Sequence, residues 1–158
     1  MAFDLKCRKS SNGVERFLTK NEKETKKLAR ILANEILKQK KAYPEQNRGA
    51  VVIGLEGNLG AGKTTFIQAF AKGMGIKRRL TSPTFVLMKK YNNLYHLDCY
   101  RIKDSQDVLV LDFKEIISEP KNIILIEWAE KIKRILPKTK IWIKFKILGK
   151  TQRVITFS

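Results

Sequence analysis

The hydrophobic positions of this 158-residue chain change period several times, and each change marks an element. Residues 14–19, VERFLT, alternate and predict a short strand. From Asn21 to about Lys40 the spacing turns helical: Leu28, Ile31, Leu32 and Ile36 share a stripe, with Leu37 at its margin and Lys26, Lys27, Arg30 and Lys38 facing away. Asn21 and Glu24 have the spacing of a capping box. After a polar turn at 42–49, residues 50–56 (AVVIGLE) form a continuous apolar run of strand length, as expected of a parallel strand buried on both faces. A glycine-rich stretch follows, then a helix from about Lys63 to Lys72 that Gly73 and Gly75 end.

The second half repeats the alternation. Residues 77–84 are an irregular basic connection broken by Pro83. Residues 85–91 and 94–100 predict two strands joined at Asn92 and Asn93, a hairpin. Helical pieces fill 104–117, a buried strand occupies 122–128, and 129–136 form a short helix that Pro137 ends. In 141–147 the period of two places Ile141, Ile143, Phe145 and Ile147 toward the core and Trp142, Lys144 and Lys146 outward. Residues 153–157 then pair back as a last edge hairpin. Strands alternating with helices around one sheet, with a hairpin inserted, predict a single α/β domain over residues 1–158.

Composition narrows the class. The chain is 43% hydrophobic, enough for a core without disulfides, and Cys7 and Cys99 form no C-x-x-C pair. No apolar run approaches the ~18 residues of a membrane span, and the N-terminus lacks a secretory pattern. A cytoplasmic protein with reduced thiols and no membrane partner is the expectation. The net charge of +18 fits either a polyanionic partner such as RNA or solubilising charge spread along the chain; the even scatter of lysines leaves both open.

Chemistry concentrates in one stretch. Gly57-Asn58-Leu59-Gly60-Ala61-Gly62-Lys63-Thr64 satisfies G-x-x-x-x-G-K-[ST], with Thr65 next. Such a loop turns successive amides toward a phosphate, and the helix after it adds its N-terminal donors and dipole. Lys63 would reach the outer phosphates and the Thr64 hydroxyl would ligate Mg²⁺. With glycine near 7% of residues, a chance match in a chain this long has a probability of roughly one in two hundred. The buried strand before the loop and the amphipathic helix after it are the context the motif requires. A guanine-reading N/T-K-x-D stretch is missing downstream, which favours ATP over GTP.

A phosphate loop works with an acid at the end of a neighbouring strand. Two residues qualify, Glu127 after NIILI and Asp98 after LYHL. Thr81, Ser82 and Thr84 beside Pro83 occupy the interval that often carries a γ-phosphate-sensitive segment. His96, the sole histidine, reads as a packed or half-exposed strand residue and is assigned no chemistry.

GNLGAGKTTF, SPTF (82–85), YHLDCYR (95–101) and IEW (126–128) occur in this order, and together they resemble TsaE, the small bacterial P-loop ATPase family of tRNA threonylcarbamoyladenosine biosynthesis. The resemblance spans about residues 14 to 157. It implies a three-layer P-loop NTPase domain with a mixed, centrally parallel sheet, binding ATP or ADP with Mg²⁺ and hydrolysing ATP slowly alone. It implies action with a threonylcarbamoyl transferase and that enzyme's non-catalytic paralogue, tRNA being contacted indirectly or weakly. Carried over by motif, Lys63, Asp98 and Glu127 are catalytic, and Thr64 and Glu127 hold the metal. Residues Gly57 to Thr65 cradle the nucleotide, with further contacts from Glu22 and Lys150. Ser82, Pro83, Thr84, Phe85 and Trp128 form a nucleotide-sensitive switch. Asn58 stands where the family usually has aspartate, and Glu56 appears two residues earlier; asparagine tolerates the same turn, so unaffected binding is expected, with slower turnover if the family's aspartate assists catalysis rather than turn geometry. A P-loop small-molecule kinase is the alternative reading.

Overall fold

The computed structural model describes residues 7–9, 13–46, 48–81, 87–109 and 111–158. Residues 82–85 of the expected switch lie outside them. Among the described residues eight strands form one sheet: β1 (Cys7–Lys9), β2 (Glu15–Thr19), β3 (Val51–Glu56), β4 (Met88–Tyr91), β5 (Leu94–Asp98), β6 (Ile123–Glu127), β7 (Ile141–Ile147) and β8 (Arg153–Phe157), in the order β1-β2-β8-β7-β3-β6-β5-β4. The block β7-β3-β6-β5 is parallel; β4 and the β8-β2-β1 end are antiparallel. The expected hairpin is present, shortened to 88–98. Its second strand joins the parallel block and its first forms the edge.

Helices cover both faces. On one, α1 (Glu22–Ala42) and α2 (Lys63–Gly73) pack over Ile53, Leu55, Ile123, Leu125, Ile143 and Phe145. On the other, α3 (Gln106–Leu109), α4 (Phe113–Ser118) and a 3-10 helix (Ala129–Ile135) cover Val52, Leu97, Ile124 and Ile126. Strands β3 and β6 are apolar up to their last residues, Glu56 and Glu127, because both their faces are covered. The first half of the capping box forms, Asn21 Oδ1 accepting the Glu24 N–H at 3.0 Å, while Glu24 Oε2 reaches one residue past the cap to accept the Lys20 N–H at 2.7 Å.

Four expectations change. Strand β7 does not show Trp142 to solvent. Its ring is buried, Nε1 donating to Glu56 Oε2 at 2.7 Å, because the 3-10 layer covers that face too. Ile147, expected in the core, is 42% exposed where β7 runs past the helices. Strand β8 is not an edge, since β2 pairs along its far side. Alternation reports one covered face and cannot see the second. Leu37 likewise leaves the α1 stripe, at 38% exposed, while Ala29 and Ala33 take the core side so that α2 can approach closely.

Candidate functional site

The loop between β3 and α2 stands at the carboxyl end of the parallel strands, where α/β sheets place their sites. Gly62 caps α2 with φ 101°, a left-handed conformation, and no side chain caps the helix. The first amides of α2 are therefore left for an anion. Gly57 is fixed by space: a Cβ there would lie 2.8 Å from the Phe145 carbonyl oxygen on β7.

Lys63, the first residue of α2, is buried, and its ammonium donates to the carbonyls of Gly57 and of Asn58, the latter at 3.1 Å. The same ammonium sits 4.0 Å from the centroid of the Trp128 ring, which Tyr100 flanks at 5.1 Å. Burial lowers the pKa of Lys63 below the usual lysine value, and Glu127, Glu130 and Asp98 oppose that shift.

Strand register assembles the acids. Asp98 and Glu127 are direct neighbours at the ends of parallel β5 and β6, and the Cys99 N–H donates to the Glu127 carbonyl at 3.0 Å. Glu127 is 4% exposed and points toward the start of α2, where the Thr64 hydroxyl donates to its Oε2 at 2.9 Å. Its other oxygen, Oε1, meets Nε2 of His96 at 2.9 Å. Asp98 lines the cleft, its Oδ1 accepting the Tyr100 N–H at 3.0 Å. Cys99, though adjacent, is no nucleophile: burial, with Asp98 beside it, pushes its thiol up to about 12.

Together these groups line a cleft of about 600 Å³ that includes Leu59 to Thr65, Asp98, Arg101, Glu127 and Trp128. Leu59 forms its lip, 76% exposed. Glu22 and Lys150 are not among the residues lining it. Both sit on the same end of the sheet: Glu22 opens α1 just after β2, ion-paired with Lys26, and Lys150 lies in the β7–β8 turn. Glu56 does not replace an acid at the loop, because it faces the opposite side of the sheet and holds Trp142 and Lys144.

Two residues that sequence reasoning passed over belong here. His96 shares the Asp98 face of β5, two residues earlier, which the period of two could have signalled. Arg153 opens β8. Its guanidinium holds the carbonyls of Gly60 (3.1 Å) and Ala61 (3.2 Å) in the loop and of Gly149 (3.0 Å) and Gln152 (2.9 Å) in the turn. No local motif marks that residue.

The donor set fits a magnesium nucleotide: a hydroxyl and a carboxylate are the hard oxygen ligands that Mg²⁺ takes in small number beside phosphates. A glycine cradle and a buried ammonium supply the anion side. Among the described residues no helix is long and apolar enough to cross a membrane.

Fold and loop define a P-loop NTPase domain. The sequence profile described as "Threonylcarbamoyl adenosine biosynthesis protein TsaE" matches residues 19–155. The chain is similar to the tRNA threonylcarbamoyladenosine biosynthesis protein TsaE of Bacillus subtilis, 40% identical over 144 residues (89% of this chain, 82% of that one). Its likeness to the protein of the same description from Rickettsia felis is 36% identity, covering 85% and 74%. The crystal structure of Bacillus subtilis YdiB superposes with a TM-score of 0.68 at 34% identity, over 91% of this chain and 84% of that one. The chain belongs to the TsaE family.

Proposed function

We propose that this protein is a Mg²⁺-dependent ATPase of the bacterial system that makes N6-threonylcarbamoyladenosine in tRNA. On this reading it works in the cytoplasm as an accessory subunit beside a threonylcarbamoyl transferase and that enzyme's non-catalytic paralogue. The observation that carries the reading is the Thr64–Glu127 contact: the residue after the loop lysine meets a buried strand-end carboxylate at 2.9 Å. That is the donor pair a magnesium nucleotide needs, in a chain of this family.

The residues divide the work. The amides at the start of α2 bind the inner phosphates, with Gly57 keeping the loop close to β7. Lys63 leaves the Gly57 and Asn58 carbonyls for the outer phosphate, so its ammonium is held in reserve by weaker acceptors. Thr64 and Glu127 hold Mg²⁺, which when bound neutralises phosphate charge and screens the developing negative charge of phosphoryl transfer. Asp98, beside Glu127, is the second acid and faces the water side of the cleft. Trp128 senses occupancy, because Lys63 leaves its ring face when phosphate arrives.

The test is reconstitution. The purified transferase pair, tRNA and the threonylcarbamoyl donor are incubated with ATP, with and without this protein. Modified adenosine should exceed one equivalent per transferase only when both the protein and ATP are present. Yields independent of the protein would contradict the role. Phosphoryl transfer from ATP to a small molecule rather than water would favour the kinase alternative.

A further inference from the structure

We propose that His96 is a positioning residue for the magnesium-side carboxylate, its Nε2–H fixing Glu127 so that the other oxygen faces Thr64 and the metal. The inference rests on the reading of the cleft as a magnesium nucleotide site.

Both partners are out of water: His96 is 1% exposed and Glu127 4%. An ionised carboxylate only accepts hydrogen bonds, so at 2.9 Å the proton of the pair resides on Nε2. The two oxygens of Glu127 are then divided, Oε1 to His96 and Oε2 to Thr64. A carboxylate held at one oxygen can still rotate about its terminal bond; one held at both has its plane set.

The ring's other nitrogen argues against a packing role. Nδ1 of His96 is buried and has no hydrogen-bond partner among the described residues. Buried polar atoms are nearly always paired, and each exception calls for a reason. A residue present only to fill the core under α2 would be aliphatic, like its neighbours Leu94 and Leu125. Here the fold leaves one nitrogen bare to keep the other on Glu127. The pattern is the counterpart of the carboxylate–histidine–metal arrangement, with the carboxylate as ligand and the histidine behind it; loss of such an outer partner typically costs about 10–100-fold in metal affinity.

His96 is the only histidine, so ¹⁵N-histidine labelling gives one ring. Spectra should show a proton on Nε2, and the ring signals should move when Mg²⁺ is added to the ADP complex. A proton on Nδ1 in place of Nε2 would overturn the proposal. In parallel, ADP binding is measured by calorimetry over a Mg²⁺ series for wild type, His96→Leu and His96→Gln, with thermal melts of each. The Mg²⁺ concentration at half-effect should rise about tenfold or more in the leucine variant. It should return to within about threefold of wild type in the glutamine variant, whose amide reaches where Nε2 stood. Should the leucine variant not fold, glutamine is compared with asparagine, whose shorter amide cannot reach Oε1; an equal Mg²⁺ requirement for that pair overturns the proposal, and a preference for glutamine supports it. A folded leucine variant with the wild-type Mg²⁺ requirement overturns the proposal and leaves the site reading intact. Wild-type protein that takes up no ADP at any Mg²⁺ concentration overturns both.

Discussion

Lys63 shows how much a single residue gives up to be ready. Its ammonium is buried against its own loop carbonyls and an aromatic face, and burial holds its pKa below the ordinary value of 10.5. The folded protein therefore disfavours the charged form relative to the unfolded chain. The sign follows: at neutral pH the charged lysine lowers stability, and that penalty fades as pH rises through the folded pKa toward 10.5. Lys63→Met should therefore abolish tight ATP binding in calorimetry. Its melting temperature relative to wild type should fall as pH rises from neutral toward the ordinary lysine value of 10.5, as the wild type sheds its penalty. A constant difference across that range would mean the ammonium is solvated in the folded state. Glu127→Gln tests the opposite pole of the cleft. It keeps the shape but halves the acceptor strength at Thr64, so steady-state hydrolysis should drop by about 10²-fold or more while ADP affinity without metal changes little. At this scale the sequence was informative where chemistry follows a local motif: Lys63, Thr64, Glu127 and Asp98 all meet at the cleft. His96 escaped because its role depends on a partner 31 residues away.

At the scale of elements, the parallel register does what no single residue can. Pairing Asp98 with Glu127 across β5 and β6 puts two acids side by side; the sequence offered each as a strand-end acid, and only the register makes them neighbours. Trp142 and Ile147 were legible only in part, since alternation along β7 gives the face of each residue but not whether a second layer covers it. Arg153 was not legible at all. Its position is set by β8 lying between β7 and β2, a long-range pairing that leaves no local pattern. Yet its guanidinium ties the phosphate loop to the β7–β8 turn through four well-formed hydrogen bonds to carbonyls. In a planar trans peptide the carbonyl and the following N–H point opposite ways. Holding the Ala61 carbonyl on Arg153 therefore aims the Gly62 amide away from that turn. Arg153→Ala should weaken ADP binding about tenfold, or about 1.4 kcal/mol, with the helix content unchanged by circular dichroism. Lysine should recover little, because a point charge cannot fork across two strands of chain. Full ADP affinity in both variants would show that the loop holds its shape unaided.

At the scale of the whole molecule, charge and fold are separate questions. Two apolar layers on a mixed sheet account for the fold, and none of it needs the +18 net charge. The cations are mostly lysines, absent from the central strands β3, β5 and β6 but spread over the periphery, including both ends of α1, the β4 edge and the outer face of β7. A charge distributed in this way attracts polyanions from all sides and orients none, since lysine ammoniums lack the planar fork that fixes a phosphate's direction. Phosphate contacts of this kind release counterions, so their affinity falls steeply with salt and carries no sequence information. Direct binding to tRNA should accordingly be weak, equal for an unrelated RNA of the same length, and reduced by about tenfold or more between 50 and 200 mM salt in a filter-binding titration. The cleft contributes little to it, because Lys63 is buried; Lys63→Met should leave the salt slope unaltered. Binding that prefers tRNA and survives 200 mM salt would instead require a built surface, with cations held in place by their neighbours. The basic side chains would then have to be mapped one by one, starting from the arginines.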